Sequence, residues 1–159
     1  MTTTYHVEVN EGFTTATGTV EVVVYPNPAA PVSGGDQEIC EGDDIPALTV
    51  TVGAGETADW YANAAGGTQL ASGTLSYTPG AAGTYYAEAR NLAAGCLSPS
   101  RTAVTLIVHP LPAVYAGADQ SIPNGTSTTI TDATATGTAV LQYAWTPAAS
   151  FVDPGVLHP

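Results

Sequence analysis

A repeat constrains this chain more than any other feature. Thr4-Tyr5 with Glu8 returns as Thr84-Tyr85 with Glu88, and each segment leads through a second alternating stretch to a Pro-Xaa-Pro run, Pro26-Asn27-Pro28 and Pro110-Leu111-Pro112. Each run is followed by a related opening, Gly34-Gly35-Asp36-Gln37-Glu38-Ile39 and Gly117-Ala118-Asp119-Gln120-Ser121-Ile122. Later in each unit stands a tryptophan, in Asp59-Trp60-Tyr61 and in Ala144-Trp145-Thr146. Matched positions lie about 80 to 85 residues apart. Self-similarity at that period points to a string of small like domains, not one larger core.

Within the units the pattern is that of strands. Tyr5, Val7 and Val9 alternate with His6, Glu8 and Asn10, the period-2 signature of a strand with one wet face. A turn is expected at Asn10-Glu11-Gly12, a second strand over Thr19–Tyr25, and further strands at Ala47–Val52, Ala58–Ala62, Leu75–Thr78, Thr84–Arg90, Thr102–His109, Ser127–Thr131 and Val140–Trp145. Thr and Val favour extended backbone and the many Gly and Pro punctuate it with turns. The Pro-Xaa-Pro runs read as short stiff linkers. The fold class expected is all-β, as small β-sandwiches in tandem, one complete and one split between the two chain ends.

The units are out of phase with the chain. Residues 1–27 read as the last two strands of a domain, 28–112 as a complete domain, and 113–159 as the first strands of another. Two strands alone are marginal in water, and a half-sandwich leaves an open edge. Placing His158-Pro159 before Met1 gives a joined unit of about 74 residues, so the chain reads as one period of a head-to-tail array, either covalent or completed between chains by strand donation. No basic-then-apolar leader follows Met1, so if the protein is exported this chain is expected to be a mature piece or an excised segment.

Charge excludes several function classes. Fourteen carboxylates stand against Arg90 and Arg101 with no lysine, a formal net charge of −12. Such a surface offers too few cations to displace the counterions of phosphate, so neither nucleic acid nor an anionic membrane is an expected partner. No apolar run approaches the ~18 residues of a membrane helix. Nucleophile-elbow, phosphate-loop and zinc-protease motifs are absent, and His6, His109 and His158 are scattered, so no enzyme and no catalytic residue is expected. The acidic cluster Glu38, Glu41, Asp43 and Asp44 reads first as a solvated turn. Calcium is the weaker alternative, because the spacing matches no EF-hand or repeat-type calcium loop. No other cofactor is expected. Asn124-Gly125-Thr126 reads as a tight turn before it reads as a glycosylation acceptor.

Cys40 and Cys96 fit one disulfide in an oxidising compartment, closing a loop that would add about 4 kcal/mol in the chain-entropy model. Trp60, Tyr85, Trp145 and Tyr5 are the expected core anchors. Trp60, Tyr61, Tyr85 and Tyr86 are candidates for a sugar-stacking platform, with core packing preferred for Trp60.

The stretch Asp59-Trp60-Tyr61, Gly66-Gly67, Leu70, Gly73, Tyr77-Thr78-Pro79, Gly83-Thr84-Tyr85-Tyr86, Gly95-Cys96 and Ser98 resembles the Ig-like domains of secreted Bacteroidetes proteins that accompany C-terminal sorting domains. The end pieces resemble PKD-like domains, through Ala116-Gly117-Ala118-Asp119-Gln120, Tyr143-Ala144-Trp145-Thr146-Pro147 and Asp153-Pro154, with Thr3-Thr4-Tyr5-His6-Val7-Glu8-Val9 supplying the matching end. The resemblance implies an extracellular or cell-surface setting and no catalytic residues. Cys96 falls too far beyond Tyr85 for the antibody-type bridge, so the expected disulfide would pin the loop before the last strand to the region before the second. The function expected is a structural or adhesive repeat of a surface fibre or giant adhesin, pairing with itself head-to-tail. The alternative is a carbohydrate-binding or spacer module of a secreted multidomain hydrolase, with surface polysaccharide as partner.

Overall fold

The computed structural model describes residues 1–159. The chain divides into two compact units, 1–37 with 45–107 and 38–44 with 108–159.

The first unit opens on a long hairpin, β1 (Thr2–Glu11) and β2 (Thr14–Val23), paired without a break from Thr2 opposite Val23 to Glu11 opposite Thr14. Gly12-Phe13 forms the two-residue loop. Positive φ at Gly12 (+61°) and at no non-glycine residue is the pattern of a type II′ turn, whose twist matches that of the flanking strands. The turn falls later than the Asn10-Glu11-Gly12 expected, and the second strand starts earlier than Thr19. Thr14, Thr15 and Thr17 suit extended backbone, and every one of their backbones faces a partner on β1.

The sandwich follows: β3 (Val32–Ser33), β4 (Gln37–Cys40), β5 (Leu48–Thr51), β6 (Glu56–Tyr61), β7 (Gln69–Ala71), β8 (Ser76–Tyr77), β9 (Gly83–Asn91) and β10 (Thr102–His109). One sheet has the order β4-β10-β9-β6-β7 and the other β3-β5-β8. Alternation sends Leu48 and Val50, Ala58 and Trp60, Ala87 and Ala89, and Val104 and Leu106 to the interior, where all are buried. Trp60 is the largest, fully removed from solvent. Its indole N–H donates to the Thr74 carbonyl at 3.0 Å and its ring stacks on Tyr77, with centroids 5.8 Å apart. Tyr85 packs on Tyr77 from the other side, and its hydroxyl donates back to the Ala81 carbonyl at 2.9 Å, forming the tyrosine corner of immunoglobulin-type sandwiches. Two residues on, where antibody domains carry the second cysteine of their inter-sheet bridge, stands the fully buried Ala87. Packing alone joins the sheets there.

The second unit is sparse. Its strands β11 (Ala113–Tyr115) and β12 (Thr134–Thr136) pair only with each other, and one 3₁₀ turn follows at Ala148–Ser150. Gly117 has φ +98°, and a Cβ there would collide with the Asp132 carboxylate, whose other oxygen accepts from the Ala118 N–H. Ala133 is its one buried apolar residue. The strands expected at Ser127–Thr131 and Val140–Trp145 do not form: neither segment finds a run of backbone partners, and the one backbone bond that the second makes, from the Trp145 N–H to the Pro154 carbonyl at 3.0 Å, is too few for a ladder. Trp145 is only half-buried, held by Phe151 (centroids 5.6 Å apart) and by an indole N–H bond to the Val156 carbonyl.

Replacing Tyr85 by Phe removes the corner hydrogen bond and nothing else, so Tyr85→Phe is expected to cost about 1 kcal/mol of unfolding free energy in a urea titration.

Candidate functional site

Two surfaces stand out: the outer face of the large sheet and the apolar faces left without partners. Both cations of the chain other than histidines and the amino terminus lie on the first. Asp59 faces outward from β6 yet is buried. Its carboxylate accepts from Arg90 Nε (2.8 Å) and Nη2 (3.2 Å), from the Gly73 N–H (2.8 Å) and from the Ser72 hydroxyl (3.0 Å). Burial pushes the Asp59 carboxyl up, but the hydrogen bonds from Arg90, Gly73 and Ser72, with the charge of Arg90, outweigh it and hold the group below the ordinary carboxylate value. Arg101 lies 3.4 Å over the Tyr61 ring and donates to the carbonyls of Asn63 and Gly66, with Glu88 at 3.5 Å. Burial, then the negative charges of Glu88 and Asp59, raise the Tyr61 hydroxyl above its usual value.

Each guanidinium therefore fastens a loop to the sheet. The sugar-stacking platform is not assembled: Trp60 is in the core, Tyr85 faces inward, and Arg101 covers the face of Tyr61.

The acidic candidates are dispersed over a turn and a contact with a histidine. Glu38 contacts His109 Nε2 at 3.1 Å, Asp43 accepts from the Cys40 N–H at 3.0 Å, and Glu41 and Asp44 face solvent. No three His, Cys, Asp or Glu side chains are grouped to hold a metal ion. His6 is exposed on the polar side of the hairpin, and His158 bonds the Ala133 carbonyl.

The expected disulfide is not formed: Cys40 and Cys96 are free thiols. Cys40 ends β4, next to Glu41, whose N–H bonds the carbonyl of His109, the last residue of β10. Cys96 lies in the loop before β10 begins, its carbonyl bonded to the Asn91 N–H. The strand between them runs roughly 25 Å at strand rise, whereas bridged cysteines need Cα atoms within about 7 Å. Counting two cysteines carried no information about which end of that strand each would occupy.

The second surface was legible from alternation. Tyr5, Val7 and Val9 of β1 share a face with Ala16, Val20 and Val22 of β2, opposite the polar Thr4, His6, Glu8, Thr17, Thr19 and Glu21. Nothing covers it: Tyr5 is 57% exposed and Val20 59%. Tyr5 is thus no core anchor in this chain, since the hairpin has only itself to pack against. In the second unit an open cavity of about 360 Å³ is lined by Val114, Tyr115, Leu141, Tyr143, Trp145 and Leu157 among others.

The family model described as "Ig-like domain CHU_C associated" matches residues 28–110, and the chain belongs to that family. The match covers the sandwich from Pro28 to the second linker. Among solved structures, the chain is similar to a titin M10–obscurin like 1 Ig complex, at 21% identity over 55% of this chain and 100% of that one, TM-score 0.33. It is also similar to a chimeric titin Z1Z2-Z1Z2 tandem, at 17% identity over 66% of this chain and 63% of that one, TM-score 0.27. No curated protein matches. No helix is long and apolar enough to cross a membrane.

Two outcomes follow from the geometry. Arg90→Ala leaves a buried carboxylate with two neutral donors and is expected to cost about 2–3 kcal/mol in chemical denaturation. Because the folded Asp59 titrates below its unfolded value, its contribution is complete above the ordinary carboxylate range and is lost as pH falls through the folded value; the acid-side fall in stability should flatten in Arg90→Ala. Ellman's reagent should titrate Cys40 in the native chain, and a reductant should leave the melting temperature unchanged. A melting point that drops on reduction would restore the disulfide.

Proposed function

We propose that this chain is a structural, adhesive repeat segment of an extracellular or cell-surface bacterial fibre, in which like units join head-to-tail. The observation that carries the reading is the hairpin β1–β2, whose two strands pair only with each other and whose one-sided apolar face is left uncovered. A surface of that kind is completed by another protein face. Membership of a CHU_C-associated Ig-like family supports a secreted or surface location and a non-catalytic, modular role. The large negative charge with few cations suits a solvated exterior and repels nucleic acid. The end pieces, in this reading, are PKD-like units.

A carbohydrate-binding module is favoured less, because Trp60 is in the core, Tyr85 faces inward and Tyr61 is capped by Arg101, which leaves only Tyr86, half-buried, of the four candidate rings.

Protease treatment of intact cells that make the protein, followed by detection of the 28–110 domain with antibody, tests the reading. Loss of the intact, cell-bound protein without lysis is the expected outcome. Protection until the cells are lysed would place it inside and end the proposal.

A further inference from the structure

The sandwich contains a worked example of how the exposed hairpin is meant to be covered. Adding 80 to β1 and 84 to β2 lays the hairpin on β9–β10 in register. Tyr5 opposite Val20 becomes Tyr85 opposite Val104, Val7 opposite Gly18 becomes Ala87 opposite Thr102, and Thr3 opposite Val22 becomes Gly83 opposite Leu106. The same 84 carries Pro26 and Pro28 onto Pro110 and Pro112. The faces agree too. Tyr85, Ala87, Val104 and Leu106 point into the sandwich, the last three at 1% exposure or less, while Tyr5, Val7, Val20 and Val22 point into solvent, Val22 at 43%.

What β9 covers is the tryptophan strand: Trp60 lies opposite Ala87 and Asp59 opposite Glu88. The equivalent segment of the second unit, Val140–Trp145, has strand composition but no strand, and its Trp145 lines an open apolar cavity. The β3·β5 pairing likewise has its counterpart in β11·β12. The second unit has the opening pair and the tryptophan segment of a sandwich; the hairpin has the covering strands.

We infer that the hairpin of one copy of this chain docks on the second unit of another copy, β1 pairing antiparallel with Val140–Trp145 so that Val7 lies opposite Trp145 and Glu8 opposite Ala144. Docking seats Tyr5, Val20 and Val22 over the Trp145 cavity and turns Val140–Trp145 into a strand by adding a partner backbone. A polar contact fixes the outer edge. In the sandwich the Thr105 N–H donates to Asp36 at 2.8 Å. The equivalents are Glu21 and Asp119. Met1 and Val24 exchange both backbone bonds, so by alternation along the ladder the Glu21 N–H points away from β1 and is free to meet the Asp119 carboxylate. Both surfaces are acidic, Glu8, Glu11 and Glu21 against Asp119, Asp132 and Asp153, so added salt strengthens the contact.

This inference rests on the head-to-tail reading and specifies its contact. The full chain is studied by sedimentation velocity over a dilution series, with Trp145 fluorescence as a local reporter. Open-ended association with a blue shift is expected. Val20→Asp should weaken association roughly 100-fold or more, as a buried unpaired carboxylate would, whereas Thr19→Asp on the polar face should leave it unchanged. For register, Glu8→Cys with Ala144→Cys is made in a Cys40→Ser, Cys96→Ser background and mildly oxidised. A disulfide ladder in steps of 16.0 kDa is expected, and none for Glu8→Cys with Gln142→Cys. A chain that stays monomeric at its highest soluble concentration, an internally cross-linked monomer, or association indifferent to Val20→Asp would each overturn the inference. Each of those results leaves the surface location standing, since that is read by protease treatment of cells.

Discussion

Burial of the Trp60 indole between two sheets is the interaction on which the sandwich depends. The ring removes a large apolar area from water, and its one polar atom would make that burial costly if left alone. The Thr74 carbonyl satisfies it, so the connection between β7 and β8 is tied to the centre of the core. Tyr77 and Tyr85 continue the aromatic stack toward the Ala81 turn. With that stack in place small residues suffice elsewhere: Ala58, Ala87 and Ala89 let the sheets approach where antibody domains carry a bridge.

The outer face of the large sheet repeats this logic with charge. A chain with two arginines places both on one surface, and each closes a loop. Asp59 is tolerated at 4% exposure because every direction from its carboxylate meets a donor. Arg101 sits flat on Tyr61 and reaches two carbonyls of the β6–β7 connection. No buried side-chain nitrogen or oxygen lacks a partner. These rings and cations fasten the connecting loops to the sheet.

The hairpin and the second unit show the opposite balance. Their strands pair only two by two, and their apolar side chains stay uncovered. Two strands cannot bury a face against themselves, because both faces of a ribbon point away from it. The sandwich resolves the same difficulty by laying β9–β10 beside the Trp60 strand. The match in register and facing between that hairpin and β1–β2 gives the exposed surface a specific shape to meet, beyond general stickiness.

Much of this was legible along the chain. Alternation at Tyr5, Val7 and Val9 assigned the faces of β1, and the strand segments around Trp60 and Tyr85 were legible as strands of a sandwich. Thr102–His109 came out with the bounds expected, because Val104 and Leu106 alternate cleanly and Pro110 stops the ladder. Val140–Trp145 did not become a strand, since propensity supplies a shape and only a neighbouring backbone supplies the bonds. Cys40 and Cys96 could be counted but not paired, because their separation in space depends on which end of β10 each loop reaches. Nor did spacing reveal that Arg90 and Arg101 would be used on Asp59 and Tyr61, which lie 31 and 40 residues away in the sequence. The sequence by itself determined which faces of β1 and β10 are apolar, the internal repeat and the excess of carboxylates, because these follow from local periodicity and composition. Only the tertiary structure decided which apolar faces close on each other and which stay open, because burial is a relation between distant segments.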